Sequence, residues 1–577
     1  MIGLPLDGDS GKRRYSIVGG LTFVILLVVF FSTNLFSYLK IALTPIPGPD
    51  SNICPLQDPI APSSFYKDNS SVLDILYDPK YREQSVGRLS GAVQIDTQIL
   101  DNQPPVDEAP EIWAKFKEFH KYLKSTFPLI YENLDVTTVN TYGLVYTWKG
   151  TDATLKPVLL TAHQDTVPIQ KDTLEKWKYP PLAGHYDGEY VYGRGAVDTK
   201  NVLIAILESL ELLLKHGHSP SRTIIAAFGF DEEGSGENGA LQIAKHLEEK
   251  YGKDSFYALV DEGTGLSTDP FTDTIIATPV TGEKGRVEIY VELTTPGGHS
   301  SIPPDHTSIG IMSELGYLME KDPYKSILTD KNPTLKYFQC LAVHDPKKKI
   351  PKSFKKVILR AGFDKFANSK LVAKVSENRW FRYLITTSQA LDIIKGGEKV
   401  NALPEVTKIG VNHRIAVESN VAFVKQHFTA RVIEVADRHG LKVVAFGETV
   451  YEPDTPYAGK FTITEDSPLE AAPRTPTDDT IWSYLSGVTR HVFEDLVFPN
   501  LTYPIVTAPS LMTPNTDTRH YWNLTKHIFR YSPFYMANIL ESGVHSVDEK
   551  MQFDGHLQLQ AWFYEYLQAI DTAKAGN

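Results

Sequence analysis

The sequence predicts an α/β protein: a mostly parallel sheet flanked by helices, an inserted α+β lid domain, and one transmembrane helix at the amino end. Three observations carry this reading. Short apolar runs bounded by polar residues alternate with helical stretches from Tyr142 onward, as in strand–helix–strand units of a parallel sheet. After Gly285 the texture changes, and Val287-Glu288-Ile289-Tyr290-Val291-Glu292-Leu293 alternates with period two, like a half-exposed strand. Before both lies an uncharged run from about Ile17 to Leu39, long enough to supply the roughly 20 apolar residues that cross a bilayer.

From the amino end, residues 1–16 read as a cytosolic tail and 17–39 as a signal anchor. Lys12-Arg13-Arg14 precede the run and Lys40 stands alone after it, which favours a single-pass type II orientation. The run is too long for a cleaved signal peptide, and Leu35, Phe36 and Tyr38 continue it. Residues 40–70 read as an extended tether, because Pro45, Pro47, Pro49, Pro55, Pro59 and Pro62 crowd its first part. The sequons at Asn69, Asn500 and Asn523 all lie beyond the span, where lumenal glycosylation would reach them.

Residues 71–285 form the first part of the α/β body, 286–450 the lid, and 451–577 the second part of the body. Helical periodicity at Ile112, Phe116, Phe119 and Leu123 opens the first part. Four apolar runs then read as buried strands. Val158–Ala162 ends in His163-Gln164-Asp165, and Tyr190–Val197 ends in Asp198. Ile224–Phe230 ends in Asp231-Glu232-Glu233, and Tyr257–Val260 ends in Asp261-Glu262-Gly263. An apolar helix from Thr199 to Leu214 follows Asp198 and stops at His216-Gly217, where glycine fits the helix end.

In the lid, helices at Ile309–Met319 and Val421–His439 accompany strands at Val287–Leu293, Lys408–Arg414 and Leu441–Phe446. Lys347-Lys348-Lys349 reads as surface loop. A second linker, Glu465–Asp479, contains Pro468, Pro473 and Pro476. The last part carries a polar cluster, Asn515-Thr516-Asp517-Thr518, and then His545.

Ligands gather at the carboxyl ends of strands in open α/β sheets. One sheet edge therefore collects a histidine and several carboxylates, donors that suit Zn²⁺ or a similar divalent ion. Paired carboxylates such as Glu232-Glu233 allow one to bind metal while its neighbour moves a proton. The net charge of −12, without a basic stripe interleaved with aromatics, argues against nucleic-acid binding. Two cysteines, Cys54 and Cys340, cannot form a zinc cluster; whether they pair is left open.

These motifs, with Gly193-Arg194-Gly195, Gly297-Gly298-His299-Ser300 and His545, resemble the M20 family of co-catalytic zinc peptidases. Ala-His-Gln-Asp at 162–165, Tyr-Thr-Trp ending at Trp148, Asn401-Ala402-Leu403-Pro404 and Asn515–Thr518 look most like its anchored carboxypeptidases of the vacuole lumen. Pro514 departs from the family pattern, which often has glycine there. The resemblance implies a zinc-exopeptidase-type fold and two Zn²⁺ per chain bridged by Asp198. One ion would add His163 and Asp261, the other Glu233 and His545. Glu232 would be the general base. Asp165, two residues after His163, would hold its second ring nitrogen. His299 on the lid would hold the carbonyl oxygen of the scissile bond. Arg414 would take the free α-carboxylate of the substrate, a bidentate task suited to guanidinium. Asn401 is a further candidate for substrate contacts. Thr516 and Asp517 either line the substrate pocket or serve a turn.

The first expectation is thus an anchored zinc carboxypeptidase of the vacuole lumen, acting on short peptides of Gly-X type, with a possible homodimer through the lid. An N-acyl-amino-acid hydrolase or synthase of the same family would share every metal residue. An inactive receptor-type ectodomain would not require Glu232 and the ligands together.

Overall fold

Three of the four acid-terminated runs become adjacent strands of one sheet. The computed structural model describes residues 21–22, 24, 34–65, 67, 70–454, 459–537 and 539–574. Val158–His163 lies between Ile224–Gly229 and Leu259–Thr268 and pairs with both in parallel. Ile528–Tyr535 continues the sheet in parallel beyond Leu259–Thr268. On the other side Gly143–Trp148 and Asp135–Val139 add antiparallel strands. The central strands are buried along their whole length because helices cover both faces, which is why they read as continuous apolar runs.

The fourth run differs. Only Tyr190–Tyr192 is a strand, and it belongs to a separate three-stranded sheet with His185–Tyr186 and Lys550–Gln552. The rest, through Asp198, is a loop that leads into the helix Lys200–Lys215. Gly193 and Gly195 sit there at φ 147° and 85°, which a side chain would oppose.

The lid is a six-stranded sheet covered by the helices Ser308–Lys321 and Val421–His439, with its own core. Its central strand Gly285–Thr294 pairs with Val406–Ile415 on one side and Lys460–Leu469 on the other. The lid therefore ends near Leu469 rather than at 450, and the stretch expected to begin a linker at Glu465 is a strand. Long-range pairing outweighs the nearby Pro468, which stands near the strand's end.

The segment around Lys347-Lys348-Lys349 is a turn inside a helical module. Helices Pro333–Val343, Lys352–Arg360, Lys365–Ser376 and Arg379–Leu384 build a separate core. That core also takes in Ile276, Val506 and Ala508 of the main body.

The proline-rich segment is docked and does not run as a free tether. Helix Leu35–Leu43 packs on the helical module. Cys54 and Cys340 form a disulfide. Ile60 N–H donates to Gly487 O at 2.9 Å, and Arg490 donates to Gln57 O. Proline content removes backbone donors but leaves apolar side chains and carbonyls free to bind a surface. Among the described residues no helix is long and apolar enough to cross a membrane. Most of the run expected as the anchor, 17–39, lies outside the described residues, as do residues 1–16 and Asn69. Asn500 and Asn523 are exposed.

Candidate active site

Five segments deliver the site. The strand Val158–His163 ends with His163 buried. Its Nδ1 lies 3.0 Å from Asp165 O and 3.4 Å from Asp165 Oδ1, so Nε2 is the nitrogen left facing the cluster. Asp165 also accepts Glu233 N–H at 2.9 Å, which ties the Glu232-Glu233 turn to the same point. Asp231 shapes that turn by accepting Asn238 N–H and Gly239 N–H, both at 2.7 Å.

His163 Nε2 stands 3.2 Å from Asp198 Oδ1 and 3.5 Å from Glu262 Oε1. His545 Nε2 stands 3.0 Å from Asp198 Oδ2 and 3.2 Å from Glu233 Oε1. Two donor triads thus share the two oxygens of Asp198. Bonds of about 2.0–2.2 Å in a tetrahedron place neighbouring donors about 3.3–3.6 Å apart, which these spacings approach. His163, Asp198 and Glu233 lie with one donor atom each within 4.8 Å of one another, as do His163, Glu232 and Glu262, so the two sets adjoin.

The electrostatics fit a site that requires positive charge. Burial pushes Glu262 up to about 8, and burial with Glu262 close by pushes Glu232 well above the usual carboxylate range. Burial and Asp198 raise Glu233. Burial opposes a charge on His163, yet Glu262 and Asp165 push it up. Asp198 and Glu233 raise His545 to about 10. Without cations the cluster gathers protons instead. Loading the protein with Zn²⁺ near pH 7 should therefore release protons, and affinity should fall as pH falls. Titration calorimetry in buffers of different ionisation enthalpy measures this.

Asp261 is the clear departure from expectation. It faces Thr161, whose hydroxyl donates to Oδ1 at 2.8 Å, while Glu262 reaches His163. The cause is a bulge. Opposite Arg530 and Tyr531, which are consecutive, stand Asp261 and Thr264, so Glu262 and Gly263 are extra residues on their strand. A Cβ at Gly263 would lie 2.2 Å from Arg530 O, so only glycine fits this approach. Simple alternation cannot foresee that displacement. Glu262→Ala should lose about half of the bound metal, one triad of two, whereas Asp261→Asn should retain it. Elemental analysis of both variants checks this.

Other expected residues fall elsewhere. Thr516 is buried, and its hydroxyl and backbone N–H bind Glu283 Oε1 at 2.9 and 3.0 Å. It serves the turn and does not line a pocket. Glu283 is held in turn by Arg530 at 3.0 Å. Asp517 is buried behind Gly229 and Gly236, and burial raises it well above its ordinary value. His299 is exposed on the lid, bound to Ser301 Oγ at 2.7 Å, beside the strand of Ala402. Asn401 offers its carbonyl to Ser300 N–H at 3.3 Å. The hydrogen bonds of both residues are made to neighbouring segments of the lid.

Arg414 extends from the lid to the body, donating to Asn515 Oδ1 at 2.9 Å. Around it lie Arg286, Arg519 and Lys284. Burial and Arg414 lower Lys284 to about 7; burial and Arg519 lower Arg286, which Glu288, Asp466 and Glu232 partly offset. Sequence reading missed these three cations, since nothing local marks them. It also missed Glu549. That buried carboxylate binds Arg194 at 2.6 Å and accepts Val197 N–H at 3.1 Å and Asp198 N–H at 3.2 Å. It lies four residues after His545 and so clamps the Asp198 loop to the His545 segment.

The model of peptidase family M20/M25/M40 matches residues 159–569. The chain belongs to this family. Carboxypeptidase S of Saccharomyces cerevisiae is 40% identical, over 98% of this chain and 99% of that protein. The N-fatty-acyl-amino acid synthase/hydrolase of Mus musculus is 31% identical, over 84% of this chain and 88% of that protein. Among solved structures, human carnosine dipeptidase 1 shares the fold at TM-score 0.58 and 14% identity, covering 89% of this chain and 99% of that one. In this M20 chain the two triads occupy the carboxyl ends of the parallel strands and the loops beside them, which accounts for their order in the sequence.

Proposed function

We propose that this M20 protein is a zinc carboxypeptidase that removes the last residue of short Gly-X-type peptides. The carrying observation is that each oxygen of Asp198 meets a histidine that also meets a glutamate: His163, Asp198 and Glu262 are assigned to one Zn²⁺, and Glu233, Asp198 and His545 to the other, with Glu232 within 4.8 Å of His163 and Glu262. When bound, the ions polarise the scissile carbonyl and acidify the attacking water. Glu232 takes a proton from that water and delivers it to the departing amine nitrogen. Asp165 holds the His163 ring so that Nε2 faces inward. Arg414, with Arg286 and Arg519 near it, receives the free carboxylate of the peptide. His299, exposed on the lid, would have to move toward the cluster to hold the carbonyl oxygen.

The compartment reading is the lumen of the vacuole, with residues 17–39 as a type II anchor. It is supported by the Cys54–Cys340 disulfide, which suits an oxidising compartment, and by exposed Asn500 and Asn523. Similarity to carboxypeptidase S along nearly the whole chain supports the peptide reading. Similarity to the N-fatty-acyl-amino acid enzyme supports a second reading, hydrolysis or synthesis of N-acyl amino acids at the same centre. Purified protein should hydrolyse N-blocked Gly-Leu dipeptides faster than long-chain N-acyl amino acids. The reverse order selects the second reading.

Arg414→Ala should raise KM for peptides with a free carboxylate and leave their amides nearly unchanged. Losing one partner of a buried charge-assisted pair costs about 2–5 kcal/mol. Steady-state kinetics on matched acid and amide substrates measures the split; equal losses on both would reject the assignment.

A further inference from the structure

We infer that the helical module formed by residues 333–384, together with helix Leu35–Leu43, is a docking surface for anionic phospholipid headgroups. The inference rests in part on the reading of 17–39 as an anchor, which bears on how the surface is held and on which bilayer it meets.

Residues 347–384 contain 12 Lys and Arg against 2 Asp and Glu, in a chain of net charge −12. That net charge hides a local basic stretch with aromatics in it, contrary to the expectation of no basic stripe, and the fold gathers it onto three short helices and a turn. Some of these cations are paired within the protein. Lys347 meets Asp273 at 3.1 Å, Lys355 meets Asp345 at 3.0 Å, Arg360 meets Asp364 at 3.2 Å, and Lys374 meets Glu377 at 2.5 Å. Lys348, Lys352, Lys365 and Arg379 are exposed and stand outside these pairs. Large apolar side chains are exposed among them: Phe363 is 75% exposed and Trp380 67%. Exposed aromatics beside lysines and arginines match the interfacial zone of a bilayer, where rings sit at headgroup level and basic side chains meet phosphate.

The position of the module supplies the second argument. Helix Leu35–Leu43 is the carboxyl end of the apolar run and is bound directly to the basic helices. The Tyr38 and Phe366 rings stand 4.9 Å apart, Lys370 Nζ lies 4.7 Å over the Tyr38 ring, and Lys356 donates to Ala42 O. The opposite side of this helix stays open, with Leu35, Leu39 and Leu43 exposed. Nine residues of helix span only about 14 Å. Residues 35–39, the last of the expected anchor, lie in this docked helix, so in the anchor reading the span can reach only to about residue 34 and holds the basic module at the membrane surface. The Cys54–Cys340 disulfide fastens the chain again on the other side of the helix.

The test uses the full-length chain in phosphatidylcholine vesicles with and without phosphatidylserine, doped with a lipid carrying a headgroup nitroxide quencher. Trp380 is the one exposed tryptophan among the described residues, and Trp380→Phe isolates its signal. Quenching of Trp380 should appear with phosphatidylserine. It should reverse near 1 M salt, where the screening length falls to about 3 Å. The combined variant Lys348→Glu, Lys352→Glu, Lys365→Glu and Arg379→Glu should lose it while hydrolysing a soluble dipeptide as the wild type does. A carbonate wash separates the two readings. Quenching with a chain that washes off supports docking and rejects the anchor. A chain that resists the wash with Trp380 unquenched overturns docking and leaves the anchor standing. Binding to heparin without quenching by anionic vesicles also overturns the lipid assignment, in favour of a soluble polyanion.

Discussion

Glu232→Gln should leave the fold and bound metal intact and lower kcat by about 10²–10⁴-fold. The amide has nearly the same shape but cannot accept the proton. Glu232 is suited to this task by position, close to His163 and Glu262 and outside both sets of Asp198 contacts. Burial together with Glu262 raises its proton affinity, and bound cations would lower it again, which sets a base that both accepts and returns a proton. Thermal melting and elemental analysis of the purified variant establish that it is folded and loaded. A variant that kept more than about a tenth of wild-type kcat would exclude the general-base role.

Asp198→Ala should remove metal from both triads at once. Each of its oxygens faces a different histidine, Oδ1 toward His163 and Oδ2 toward His545. Losing it leaves each triad with two donors, and the loss should exceed the roughly 10–100-fold in metal affinity that changes around a ligand cost. Activity should fall with metal content. Unchanged metal in Asp198→Ala, by elemental analysis after dialysis against chelator, would reject the bridging role. His545→Ala makes a useful contrast, since it strips a donor from one triad only.

The two expectations rest on different kinds of information. His163, Glu232 and Glu233 could be picked out because each closes or follows an apolar run, and buried strands in a parallel sheet leave their polar ends on one edge; Asp198 shared the signal although its run is mostly a loop outside that sheet. The error at Asp261 arose within the same logic. Two residues bulge out of the strand opposite Arg530 and Tyr531, a partner more than 260 positions away, and no local pattern encodes that register. For Thr516 the sequence left a pocket role and a turn role open, and a distant partner decides for the turn. Its partner, Glu283, comes from the strand Val280–Glu283 near the lid boundary, and the buried Glu283–Arg530 pair claims the hydroxyl. Glu549 and Arg286 had no local signal at all.

The sequence by itself determined the central strands of the parallel sheet and the helix after Asp198, the interruption by a lid, the family, and which residue types converge on a divalent-cation centre. Those depend on hydrophobic periodicity and motif spacing, which are local properties of the chain. Only the tertiary structure decided which carboxylate of Asp261-Glu262 turns inward, that the lid closes on the strand Lys460–Leu469, and that the proline-rich segment is fastened to the body through Cys54–Cys340. These depend on register, burial and charge between residues far apart in the chain. A shift of one residue in a strand reverses the face each side chain meets, and that choice is made by the neighbouring strand.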